Sequence, residues 1–153
     1  MAETELNQGI HTAPAGGLYS RLGGKLGVSR VRSDRDLASL VEKRLPVTAI
    51  KSLVRGGLSD AEVYQLIVPR RTLAHRTARH EPLTKDESDR AVRVARVTAL
   101  AEQAFGEPDR AWRWLRKPKR RFDGRTPLEM LKTEAGARLV EEMVAQIEHG
   151  MAA

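Results

Sequence analysis

The sequence predicts an all-α protein, and three observations carry that expectation. Apolar residues recur at intervals of three and four from Ser33 onward. No segment alternates apolar and polar residues as a half-buried strand does. Several of the periodic stretches open with a Ser/Thr-x-x-Glu signature, in which side chains satisfy the free N–H groups of a helix start. With 153 residues and 41% hydrophobic content the chain can bury a core. Aromatics contribute only 4%, so that core must be built from Leu, Val, Ile and Ala.

Residues 1–32 are rich in glycine and poor in periodicity, and they read as a flexible N-terminal arm. Behind the cap Ser33, Leu37, Leu40, Val41 and Leu45 fall at helical spacing. Pro46 breaks the chain and can begin a helix carrying Ile50, Leu53 and Val54, which Gly56 and Gly57 stop. Ser59 caps the next helix with Glu62 at its third position, and Ala61, Val63, Tyr64 and Ile67 supply apolar contacts. Val68-Pro69 forms a short connection to a helix that runs from about Pro69 to His80. Thr84 and Glu87 cap a long helix that reaches Phe105-Gly106. Pro108 opens a helix bearing Trp112, Trp114 and Leu115, which stops at Pro118. Gly124 turns the chain into a short helix capped by Thr126 and Glu129, with Pro127 at its first position. Thr133 starts a final helix that ends at Gly150. The predicted organisation is the arm, a helix-turn-helix region over residues 33–82, and a helical domain over 83–153.

The net charge of +7 is unevenly placed. Residues 1–80 hold 13 Lys/Arg against 7 Asp/Glu, whereas residues 81–153 hold 14 against 13. Such asymmetry fits a first half that faces a polyanion, although an arginine-rich composition can also produce a merely solvated basic surface. The chain has no cysteine, which excludes disulfides, thiolate metal sites and cysteine nucleophiles. No apolar run approaches the ~18 residues of a membrane span, and the first ten residues lack the features of a signal peptide. A cytoplasmic protein with no membrane contact is expected.

Two short helices joined by a tight turn over residues 59–80 match the helix-turn-helix layout. Leu73 and Thr77 lie one turn apart and can face the core together. That leaves Arg70, Arg71, Thr72, His75, Arg76 and Arg79 as candidate DNA-binding residues. The first three occupy the first turn, where a recognition helix meets base edges and phosphates. An arginine fork reads guanine with two hydrogen bonds, and Thr or His can reach a phosphate or a base edge.

A metal site is not expected. His75 and His80 lie about 140° apart on a helix, and His11 and His149 sit far from them. "GGKLG" at residues 23–27 has Tyr19 where a phosphate loop needs its first glycine and Leu26 where it needs Ser or Thr, so it reads as part of the arm. Trp112 and Trp114 project about 200° apart, one toward the core and the other toward a partner or a neighbouring helix. The cluster "RKPKRR" at residues 116–121 could touch phosphate, but it reads more simply as a solvated turn or a partner contact. No catalytic constellation or cofactor motif emerges, and an enzyme is not expected. In the last helix Ala137, Val140, Val144 and Ile147 form the core-facing stripe, which leaves Leu139, Met143 and the chain's end for a partner.

The ordered set "LPVTAIKSLV", "GLSDAEVYQLIVPRRTLAHR", "LTKDESDRAVRVARVTALAEQAFGEPDRAWRWL", "GRTPLEMLKTEAGARLV" and "IEHG" resembles antitoxins of the Xre/MbcA/ParS family, over about residues 45–150. The resemblance implies a helix-turn-helix DNA-binding part followed by a toxin-binding part, an operon-repressing role, and a RES-type toxin that consumes NAD. It places the toxin-facing features on Gly124, Arg125, Thr126 and Pro127, and on the final helix ending Ile147, Glu148, His149, Gly150. The turn before Gly124 departs from the family's pattern in its charge, with Lys119 at the position where Asn is usual. A homodimer follows from the paired half-sites that helix-turn-helix proteins read and from the resemblance. The rival expectations are a stand-alone transcriptional regulator whose C-terminal half only dimerises, and an adaptor that has lost DNA binding.

Overall fold

The computed structural model describes residues 15–152, with side chains placed for 17–150. Its elements are α1 (Ala15–Leu26), α2 (Asp34–Lys43), α3 (Thr48–Arg55), α4 (Asp60–Leu66), α5 (Arg70–Arg79), α6 (Lys85–Phe105), α7 (Pro108–Leu115), a 3₁₀ turn (Arg120–Phe122), α8 (Pro127–Met130) and α9 (Glu134–Ala152). All regular structure among the described residues is helical.

The predicted caps are in place. Ser59 and Glu62 exchange hydrogen bonds with each other's backbone N–H, as do Thr84 with Glu87 and Thr126 with Glu129. Ser33 accepts from the Asp36 N–H, and Thr133 accepts from the Gly136 N–H at 3.0 Å. The long helix α6 ends where Gly106 enters the left-handed region at φ 77°.

Helix α6 is the axis of the molecule, with α1, α2, α7 and α9 packed around it. Ala91, Val92, Val94, Ala95, Val97, Ala99 and Ala101 are all buried, so α6 is apolar on more than one face, as a central helix must be. Its many alanines let neighbouring helices approach closely. At the α8–α9 corner, a Cβ on Gly136 would stand 2.0 Å from the Met130 carbonyl oxygen, so only glycine lets α9 start there.

The expected arm needs correction. Residues 15–26 form α1, in which Leu22 and Leu26 are fully buried against the core, and "GGKLG" runs through the end of this helix rather than through a loop. Leu18, Leu22 and Leu26 repeat every four residues, but the interspersed glycines hide this stripe from a propensity reading. The first fourteen residues of the arm, with His11, and residue 153 lie outside the described residues. Two smaller expectations also fail. Ala61 is exposed, and Thr77 is exposed with its hydroxyl donated to the Leu73 carbonyl at 2.8 Å.

Candidate functional site

Helices α4 and α5 form the helix-turn-helix pair. Val63, Leu66, Ile67 and Val68 are buried, and Arg90 of α6 clamps the turn by donating to the Ile67 carbonyl at 2.9 Å. By contrast, α5 has no fully buried residue, and Leu73 is its half-buried anchor. Arg70, Arg71, His75 and Arg79 are exposed and Thr72 is half-buried. The first turn of α5 has neither an acidic residue nor a side-chain cap, so its free N–H groups and its two arginines present positive charge together.

Arg76 does not belong to that surface. Its Nη2 donates to Glu87 Oε2 at 3.1 Å, and its Nε lies 2.8 Å from Oε1 at an angle too bent for a hydrogen bond. Its Nη1 also lies 3.8 Å from Glu81. With its side chain only 17% exposed, Arg76 ties α5 to the start of α6. Its partner Glu87 is committed twice, because the same carboxylate completes the α6 cap.

The C-terminal candidates divide in the same way. Gly124 is exposed at φ 86°, and Arg125 is exposed with Nε donated to the Phe122 carbonyl. Thr126 is spent on the α8 cap, and Pro127 is buried. On α9, Ala137, Val140 and Val144 are buried and Ile147 is half-buried, as the stripe predicted. Leu139 is 48% exposed, whereas Met143 is only 8% exposed and belongs to the core. Met143 lies about 40° from Ile147 around the helix and Leu139 about 80°, so the packed face is wide enough to take in the first and not the second. Glu148 is half-buried, and His149 and Gly150 are exposed. The helix continues past the expected stop at Gly150, through Ala152.

Two contacts between the halves were invisible to local pattern. Arg116, just after α7, donates Nε and Nη2 to the two oxygens of Glu62 in α4, each at 2.9 Å, and Nη2 also reaches the Gly57 carbonyl at 2.7 Å. Burial opposes ionisation of Glu62, but the Arg116 hydrogen bonds outweigh it and hold the carboxyl below its usual range. The guanidinium stacks 4.7 Å from the Trp112 ring, and Gly57 admits that ring because a Cβ there would lie 2.5 Å from it. Trp112 Nε1 donates to Glu102 Oε2 at 3.0 Å, and Lys25 of α1 reaches the same oxygen at 2.9 Å. The buried lysine and glutamate neutralise each other where α1, α6 and α7 meet. The partners in these contacts are separated by 54 and 77 residues, so spacing carries no trace of them.

Residues 36–96 match the antitoxin Xre-like helix-turn-helix domain, and residues 100–150 match the antitoxin Xre/MbcA/ParS C-terminal toxin-binding domain. An Antitoxin Xre from Pseudomonas putida strain KT2440 is 42% identical over 151 residues, covering 98% of this chain and 91% of that protein. The chain belongs to the Xre antitoxin family. An Antitoxin Xre from Photorhabdus laumondii is 30% identical, over 75% of this chain and 80% of its own length. A Sphingobium protein named Prs ADP-ribosylating antitoxin is 24% identical over 75% of this chain and 79% of its own. In this Xre-family antitoxin the helix-turn-helix match spans α2 to the middle of α6, and the toxin-binding match takes up the rest of α6 with α7, α8 and most of α9. The two matched regions therefore share one central helix. No helix among the described residues is long and apolar enough to cross a membrane.

Proposed function

We propose that this antitoxin neutralises a RES-type, NAD-consuming toxin by covering its active site, and that it represses its own operon by binding operator DNA through α5. The observation that carries the proposal is the pairing, on one core, of an exposed arginine-led helix within the helix-turn-helix region and a separate toxin-binding region. Arg70 and Arg71 lead the DNA contact, with Thr72, His75 and Arg79 behind them. Gly124 and Arg125, the exposed Leu139, and the end of α9 at Glu148, His149 and Gly150 form the toxin-facing set. Thr126 and Pro127 hold that turn in shape rather than touching the toxin, and Arg76 and Met143 are left out for their internal contacts.

The toxin's chemistry rests on the family resemblance. The Sphingobium relative carries ADP-ribosylation, a reaction that consumes NAD, in its name. A plug of preformed helices suits such inhibition, because a rigid element loses less conformational entropy when it binds. The protein acts in the cytoplasm as a homodimer on paired half-sites.

Co-expression with the neighbouring gene tests the proposal. Cells expressing that gene alone should lose NAD and stop growing, and this chain should restore both. Purified protein should bind the DNA upstream of its own gene in preference to unrelated DNA. Continued growth arrest with both genes expressed would overturn the antitoxin assignment to that partner.

A further inference from the structure

The near-neutral balance of the second half conceals a segregation of charge. Residues 105–125 hold 8 Lys/Arg against 3 Asp/Glu, and residues 126–153 hold 2 against 5. Arg110, Arg113, Lys117, Lys119, Arg120 and Arg121 take part in no ion pair among the described residues, although Asp109 and Asp123 lie in the same stretch. Four of them surround a shallow depression of about 310 Å³ whose floor is Phe105 and Trp114, with ring centroids 5.6 Å apart. Lys119 Nζ lies 4.9 Å from the Trp114 ring, and burial with the neighbouring Lys117 lowers its pKa, so positive charge here is not locally compensated.

We infer that this basic depression is a docking site for an acidic segment of the toxin, with carboxylates on the cationic rim and an apolar side chain over the aromatic floor. The inference rests on the toxin-binding role of residues 100–150 and adds a contact upstream of Gly124. Position favours a protein partner over the operator. Arg76 anchors α5 to Glu87 at the start of α6, while Phe105 ends that helix, eighteen residues or about 27 Å farther along. The depression thus sits at the opposite end of α6 from the proposed recognition helix. Arg121, in the same basic stretch, donates to Gln146 at 2.9 Å and so ties that stretch to α9, the helix that carries Leu139.

The test compares the full chain with an Arg110→Gln/Arg113→Gln/Lys117→Gln variant, all three side chains being exposed and on the rim of the depression. The probe is the purified product of the neighbouring gene, with association followed by stopped flow from low to high salt. The unmodified protein should associate faster at low salt, and the variant about tenfold more slowly with a nearly flat salt dependence. The variant's thermal midpoint and operator affinity should match those of the unmodified chain. An unchanged association rate and salt dependence would overturn the inference. Weakened operator binding with a reduced salt slope would also overturn it, because it would place nucleic acid in the depression. If the unmodified chain forms no complex with the probe, the toxin-binding reading itself falls and takes this site with it. Binding by the unmodified chain alongside an indifferent variant removes the site alone.

Discussion

Arg116 and Glu62 stand 54 residues apart in sequence and meet through two parallel hydrogen bonds of 2.9 Å, joining the toxin-binding region to the first turn of α4. The pair is partly exposed, with the Arg116 side chain 41% accessible, so solvent screens it. Its geometry is the two-pronged one that arginine makes best with a carboxylate.

Arg116→Ala should therefore cost about 1 kcal/mol, the upper end for such pairs, and Glu62→Gln should lose most of the same energy. A double-mutant cycle in urea would show coupling between the two sites. Glu62 is held below its ordinary value near 4.5, so its share of stability is complete above that value. That share is lost as pH falls through the lower folded value, when the carboxylate protonates. In Arg116→Ala this acid-side loss should shrink. Independent, additive effects would show that the two halves are held together elsewhere.

Arg70→Ala and Arg71→Ala should leave the unfolding midpoint unchanged, because both side chains are exposed and unpaired among the described residues. Each should weaken operator binding by about 1–3 kcal/mol if it reads a base. A phosphate contact would weaken binding to all sequences and reduce the salt slope by about one. Arg76→Ala should instead destabilise the fold by about 2 kcal/mol, since it strips the partner from buried Glu87. Anisotropy titrations beside urea melts separate the two behaviours. A fully stable Arg76→Ala protein with lost operator affinity would return that residue to the DNA face.

Leu139 and Met143 lie one turn apart on α9 and should respond in opposite ways. Met143→Ala should cost about 2 kcal/mol or more, through lost burial and the cavity left behind. Leu139→Ala should change stability by less than about 0.5 kcal/mol yet weaken toxin binding. Thermal melts and titration against the neighbouring gene's product would check both. Toxin affinity untouched by Leu139→Ala would move the contact off this face.

Deleting residues 149–153 removes no member of the packed stripe Ala137, Val140, Val144, Ile147. Folding and operator binding should survive the deletion, and neutralisation should weaken if this end covers the NAD site. Cellular NAD and growth provide the measurement. Full rescue by the shortened chain would shift the inhibitory contact upstream, to the turn at Gly124 or the basic depression.

What the sequence determined by itself depends on neighbours within about four residues, and where glycines break up a helical stripe, as in α1, even that local signal was missed. The caps at Ser33, Ser59, Thr84 and Thr126, the stops at Gly56 and Gly106, and the core stripe of α9 are local hydrogen bonds or helical periodicity, and each is legible in the sequence. The exposed arginines at the start of α5 were legible for the same reason. Tertiary structure alone decided which charges are spent internally. Arg76 looks like its neighbours in sequence, but the start of α6 brings Glu87 to it, and Arg116 looks like part of a basic turn until α4 delivers Glu62. It also drew Met143 inward and seated Lys25 of the supposed arm on Glu102. Each of these outcomes depends on a group brought in by another element, across a sequence separation at which spacing holds no information.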